Sequence, residues 1–245
     1  MAGRVDILGI PFDRLDLTAA AERIAARHAG GERTFVITAN PEFVMLAQRD
    51  RELAALARDA DLVVADGTGI LVASRLLGDA LPARVPGRLL VPATLARLAP
   101  TGASVFLLGA AEGVAARAAE ALERAHPGLR IVGTWAGTPD PRDDEEICAR
   151  IRAAAPRILL VAYGMPAQER WIARNLGRCD SVRVAIGVGG VFDQLAGRVR
   201  LPPPVIHAVG FEWLWRLFFE PRRWRRQRVL PIFAMLVLRE RLLRR

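Results

Sequence analysis

A chain of 245 residues that is 52% hydrophobic and 25% charged can bury one full-sized core or two small ones, which excludes disorder for most of its length. Cys148 and Cys179 stand 31 residues apart with no C-x-x-C pair and no adjacent histidine, which excludes a disulfide scaffold and a zinc finger. The net charge of +9 is unevenly placed: residues 1–195 carry 23 arginines against 23 acids and residues 196–245 carry 12 against 3, so a neutral body precedes a basic tail.

In chain order, residues 1–17 are interrupted by Asp6, Asp13 and Asp16 and lack the apolar run of a signal peptide, so the chain reads as cytoplasmic. Apolar, β-rich runs follow at 34–39, 62–65, 104–109, 129–133, 157–162 and 182–188. Ala/Leu/Arg segments at 42–58, 113–125, 143–154 and 167–176 have the length of crossover helices. The alternation predicts βαβ units and the α/β class: a Rossmann-like, mostly parallel sheet flanked by helices. Leu201-Pro202-Pro203-Pro204 breaks regular structure and divides the chain into an α/β domain, 1–200, and a basic amphipathic helical C-terminal appendage, 201–245. Within the appendage, residues 211–219 predict an amphipathic helix. Residues 229–238 give an uncharged run half as long as the roughly 20 residues of a bilayer span, so a helix lying in an anionic membrane surface fits better.

Ligands of open α/β sheets bind beyond the carboxyl ends of the strands, and the polar residues and glycines here fall at those places. Thr38 and Asn40 follow the first run, Asp66 the second, Gly109 closes the third, Tyr163 and Gln168 follow the fifth, and Gly187, Gly189 and Asp193 the sixth. Asp66, after four apolar residues, reads either as a partly desolvated base or as the cap of a helix beginning near Thr68. Thr38 and Asn40 carry the same two readings, because Asn-Pro before a helix is ordinary turn chemistry. Gly187-Val188-Gly189-Gly190 can bring backbone amides to a phosphate at the start of a short helix, or serve close packing. No G-x-G-x-x-G or P-loop is present. Arg216, Arg222, Arg223, Arg225 and Arg226 suit a diphosphate or a membrane surface.

Six segments, in order, carry a resemblance: Thr38-Ala39-Asn40-Pro41-Glu42, Asp66-Gly67-Thr68-Gly69, Arg84-Val85-Pro86-Gly87, residues 162–171 (AYGMPAQERW), residues 187–193 (GVGGVFD), and Glu212-Trp213-Leu214-Trp215-Arg216-Leu217 with Glu220-Pro221-Arg222-Arg223. Together they resemble the WecG/TagA/CpsF glycosyltransferase family. The resemblance implies inverting transfer of a hexosamine-type sugar, N-acetylmannosamine or a relative, from a UDP-sugar donor to a polyprenyl-diphosphate-linked sugar acceptor in cell-envelope polysaccharide synthesis, peripheral on the inner face of the plasma membrane. It implies no cofactor and no metal, and the sequence has no DxD-like pair at a strand end. It makes Asp66 the general base, Thr38, Asn40, Arg84 and Gln168 active-site polar residues, and Gly109, Tyr163, Gly187, Gly189, Asp193, Arg216, Arg223 and Arg226 the donor-binding set. Two departures stand out. Arg88 and Leu89 occupy positions where the family has a polar residue and an aspartate, and Ala136-Gly137-Thr138-Pro139 lacks an aromatic stacking partner for uracil. Two alternatives accompany this reading: a nucleic-acid-binding protein with a basic aromatic tail, which the uncharged run at 229–238 disfavours, and a nonenzymatic UDP-sugar-binding protein. The family reading involves no nucleic acid and leaves a homo-oligomer open.

Overall fold

The six apolar runs pair into one parallel sheet in a computed structural model, which describes residues 3–199, 203, 215, 218, 219, 224 and 228–243. A two-stranded hairpin, β1 (Val5–Ile7) and β2 (Ile10–Phe12), precedes helix α1 (Leu17–Ala29). The sheet then begins with β3 (Thr34–Ala39), followed by α2 (Pro41–Ala47), α3 (Arg51–Asp59), β4 (Leu62–Ala65), α4 (Thr68–Leu76) and α5 (Gly87–Leu98). Its second half is β5 (Ser104–Gly109), α6 (Val114–Ala125), β6 (Arg130–Trp135), α7 (Asp144–Ala154), β7 (Ile158–Ala162), α8 (Ala167–Asn175), β8 (Val184–Gly187) and α9 (Val191–Leu195). The last described helix is α10 (Val229–Leu243).

The strand order is β4-β3-β8-β7-β5-β6, and every pairing in it is parallel. The chain therefore lays down both flanks first and closes the centre last, with β7 and β8 filling the space between β5 and β3. Alternate residues feed two cores, as the period of two of a strand requires. On one face Phe35, Ile37 and Ala39 pack with Phe43 of α2, Leu53 of α3, Ile70 of α4, Ile151 of α7 and Trp171 of α8. On the other, Val36, Val64 and Ile186 pack with Ile24 of α1, Leu90 and Leu95 of α5, Leu122 of α6 and Phe192 of α9. A sheet covered on both faces accounts for the near-continuous apolar runs of β4, β7 and β8.

Several boundaries differ from those expected. Residues 42–58 form two helices rather than one, because Asp50 turns outward as an N-cap and its side chain accepts the Leu53 N–H at 3.1 Å. Strand β6 runs two residues further than expected, to Trp135, which pairs with Leu108 after a register shift at Val105/Phe106. The hairpin, α1 and α5 were not expected at all. Strands of three residues fall below any periodic signal, and Pro92 in the middle of α5 reads as a helix break. The expected helix at 211–219 lies almost wholly outside the described residues.

Helix α10 spans the uncharged run and five residues beyond it, and it packs against α2 and α4. Phe233 and Val237 are buried there in the first core, while Ile232, Met235, Leu238, Leu242 and Leu243 are exposed on the other side. Among the described residues no helix is long and apolar enough to cross a membrane. Truncating a buried phenylalanine removes its transfer free energy and leaves a cavity, so Phe233→Ala is expected to cost about 3–5 kcal/mol in urea unfolding. A loss within 0.5 kcal/mol, the ordinary range of a surface change, would show that α10 does not seat on the body.

Candidate active site

The carboxyl edge of the sheet gathers most of the residues singled out in the sequence, in two groups. At the ends of β3 and β4, the Asp66 N–H donates to Ala39 O at 2.8 Å and the Val85 N–H to Ala65 O at 2.7 Å. These two bonds hold the loop carrying Arg84 against the loop carrying Asp66. Asp66 is half-buried, and the N-cap position of α4 falls on Gly67, which has no side chain to offer. The Asp66 Oδ2 lies 3.5 Å from the backbone N of Gly87, the first residue of α5. The positive end of that helix therefore faces the carboxylate. Thr38 stands on the same side of the sheet, and a methyl group on Gly87 would come within 3.4 Å of its hydroxyl oxygen. Asn40 does take the capping role, with Oδ1 accepting the Phe43 N–H at 2.9 Å to open α2.

The second group lies at the ends of β7 and β8 and is organised by Gln168, which is 4% exposed. Its Oε1 accepts the N–H of Gly164 at 3.2 Å and of Gly189 at 2.9 Å, so one carbonyl oxygen ties the loop after β7 to the loop after β8. A methyl group on Gly187 would meet Gln168 Nε2 at 2.7 Å, so any side chain there would displace the carboxamide. The two groups touch where Thr38 Oγ1 donates to Gly187 O at 3.3 Å.

In the glycine loop after β8, several N–H groups have partners within the protein. The Val188 N–H is committed to Val161 O at 2.8 Å, the Gly189 N–H to Gln168, and the Val191 N–H to Val188 O at 3.2 Å. Gly109 likewise serves the backbone: its φ is +101°, and a methyl group would meet the Ala162 carbonyl carbon at 2.8 Å. Asp193 lies on α9 and pairs with Arg198 at 3.4 Å. Tyr163 is half-buried and edge-on to Trp171, with ring centroids 6.2 Å apart. Burial pushes its hydroxyl well above the usual tyrosine range, followed by the smaller effects of Asp143 and Asp144. Trp135 ends β6 with the Arg150 guanidinium over its ring, 3.8 Å from the centroid, and Gly137 fits between Trp135 and the Tyr163 hydroxyl. Arg84 is half-buried beside β4. Arg216, Arg223 and Arg226 lie outside the described residues. Among the described residues no group of three or more His, Cys, Asp or Glu could hold a metal ion.

Two features escaped the sequence reading. The N-terminus of α5 beside Asp66 was hidden by Pro92. Glu169, 1% exposed, was visible only as a charged residue on the stripe of α8 that also buries Gln168 and Ile172. Burial pushes its carboxyl up to about 7, against the lesser downward pull of the Gln168 amide and its own backbone N–H.

A doubly wound parallel sheet with carboxylate, hydroxyl and amide groups on its carboxyl edge belongs to the class of open α/β folds that bind ligands at that edge. The sequence model described as "Glycosyl transferase WecG/TagA/CpsF family" matches residues 5–245, and the chain belongs to that family. It is 34% identical over 205 residues to an N-acetylglucosaminyldiphosphoundecaprenol N-acetyl-beta-D-mannosaminyltransferase of Bacillus spizizenii, covering 84% of this chain and 79% of the relative. A protein of the same name from Staphylococcus aureus strain NCTC 8325 is 33% identical over 232 residues, covering 94% of this chain and 90% of the relative.

The raised Glu169 carboxyl has a thermodynamic consequence. Its folded value lies above the unfolded value of 4.5, so the native state holds the proton more tightly, and stability falls as pH rises from 4.5 towards about 7. Glu169→Gln removes that dependence. The melting temperature of Glu169→Gln minus that of wild type is expected to grow between pH 4.5 and pH 8 and then level off. A difference that stays flat across this range would mean that the carboxyl titrates as an ordinary exposed one.

Proposed function

We propose that this glycosyltransferase moves N-acetylmannosamine or a related hexosamine from a UDP-sugar to a polyprenyl-diphosphate-linked GlcNAc, in the synthesis of a cell-envelope polymer. The observation that carries the chemistry is the position of Asp66. It follows β4 at the carboxyl edge, and its carboxylate lies beside the start of α5, whose first residue, Gly87, also faces Thr38. The substrates are inferred from relatives that cover most of the chain and whose name specifies a GlcNAc-diphosphoundecaprenol acceptor.

In the proposed reaction the acceptor hydroxyl gives its proton to the Asp66 carboxylate as its oxygen attacks the anomeric carbon of the donor. The bond from that carbon to the β-phosphate oxygen breaks on the opposite side, UDP leaves with the bonding pair, and the configuration inverts. Arg84, Arg216, Arg223 and Arg226 are assigned to the charge that develops on the diphosphate, where a guanidinium can stabilise the leaving group without a metal. Thr38, Asn40 and Gln168 are assigned to orienting the sugars. The exposed face of α10, with Met235 and Leu242, is assigned to the membrane that carries the acceptor, flanked by Arg228, Arg239 and Arg241. Family membership does not favour a nucleic-acid role for the basic tail.

UDP release from a panel of UDP-sugars, with a short-chain polyprenyl-diphosphate-GlcNAc acceptor in anionic liposomes, tests the reaction. Wild type is expected to release UDP only with acceptor present, and Asp66→Asn to lose at least 100-fold in kcat with an unchanged melting temperature, in the range general-base removal brings. Residual activity near wild type would remove Asp66 as the base, and UDP binding without turnover would leave a binding protein. For the membrane, Met235→Glu with Leu242→Glu is expected to weaken sedimentation with anionic liposomes while leaving the fold intact. Undiminished sedimentation would assign that face elsewhere.

A further inference from the structure

The carboxyl group of Glu169 takes part in no step above, yet it sits against the amide that organises the ends of β7 and β8. Its Oε1 accepts Gln168 Nε2 at 2.8 Å, and its Oε2 has no hydrogen-bond partner among the described residues. Holding a carboxyl this dry is costly, and an apolar side chain of similar volume would fill the same space without that cost. What a carboxyl supplies and a leucine cannot is a fixed acceptor.

A glutamine side chain needs such a partner, because its oxygen and nitrogen exchange places by a half-turn of the terminal torsion with little change in shape. In Gln168 the observed orientation satisfies three bonds at once: two glycine N–H groups into Oε1, and Nε2 into Glu169. The flipped orientation would set Nε2 against the N–H groups of Gly164 and Gly189, and Oε1 against the Glu169 oxygen. In its ionised form, above about pH 7, Glu169 can only accept and thus penalises the flip. In the observed orientation one Nε2 hydrogen goes to Glu169. The other stays on a nitrogen placed over Gly187, whose carbonyl receives the Thr38 hydroxyl.

We propose that Glu169 is a positioning residue: it locks the Gln168 carboxamide so that the loops after β7 and β8 stay joined and the second Nε2 hydrogen is held at the carboxyl edge for an oxygen of the sugar or phosphate substrate. The proposal rests on the reading of Gln168 as an active-site residue. Glu169→Leu removes the acceptor and keeps the bulk, and Glu169→Gln keeps an acceptor oxygen without the charge.

The test uses the full chain and two readouts. The first is kcat and KM in the UDP-release assay, with melting temperature as a control. Glu169→Leu is expected to lower kcat about 10- to 100-fold, the usual effect of removing a partner that orients a functional side chain, without lowering the melting temperature at pH 8. Glu169→Gln is expected to recover at least half of that loss on a logarithmic scale. The second readout is amide hydrogen exchange at Gly164 and Gly189, which needs no turnover. Exchange at both is expected to accelerate at least 10-fold in Glu169→Leu and to stay near wild type in Glu169→Gln. Wild-type kcat and unchanged exchange in Glu169→Leu would overturn the proposal. So would equal losses of activity and melting temperature in both variants, which would mark a purely structural group. If wild type releases no UDP from any donor, the proposed reaction fails on its own, and the exchange rates at the two glycines still decide whether Glu169 holds Gln168.

Discussion

A parallel sheet covered by helices on both faces has little room for polar chemistry except at its ends, and here that constraint sets the whole arrangement. The interior positions of β7 and β8 are apolar without interruption, since every side chain there points into one core or the other. Thr38, one residue from the end of β3, is the first place on that strand where a hydroxyl finds both a partner and an opening. Asp66 stands one residue beyond the end of β4 for the same reason. The site lies at the carboxyl edge because the fold permits it almost nowhere else.

What joins that edge into one unit is hydrogen bonding between loops far apart in sequence. The oxygen of Gln168 serves loops on two neighbouring strands, and the Thr38 hydroxyl reaches the carbonyl of Gly187 149 residues away. These bonds consume groups that composition alone would offer to a ligand. The glycine loop after β8 is a case in point: Gln168 lies against Gly187, and the N–H groups of Val188 and Gly189 already have partners.

That distinction marks how far the sequence could be read. The strands were legible because burial on both faces writes itself as an apolar run, and the edge residues were legible because they follow those runs. Asn40 and Asp66 looked alike as candidate caps, and only the backbone separates them: Asn40 closes on Phe43, whereas the turn after Asp66 hands the N-cap position to Gly67. The hairpin was too short to show a period. Helix α5 was concealed by a proline that its packing tolerates, and with it went the helix end nearest Asp66. Glu169 was equally hidden, since a glutamate on a helix gives no sign in the sequence that it is buried.

Helix α10 lies across α2 and α4, and those two helices begin at the two strand ends where Asn40 and Asp66 stand. Phe233 and Val237 reach inward from one side of it, while Met235 and Leu242 face outward from the other. Whatever rests on the outer surface of α10 is thus separated by a single helix from the two elements that start at the carboxyl edge.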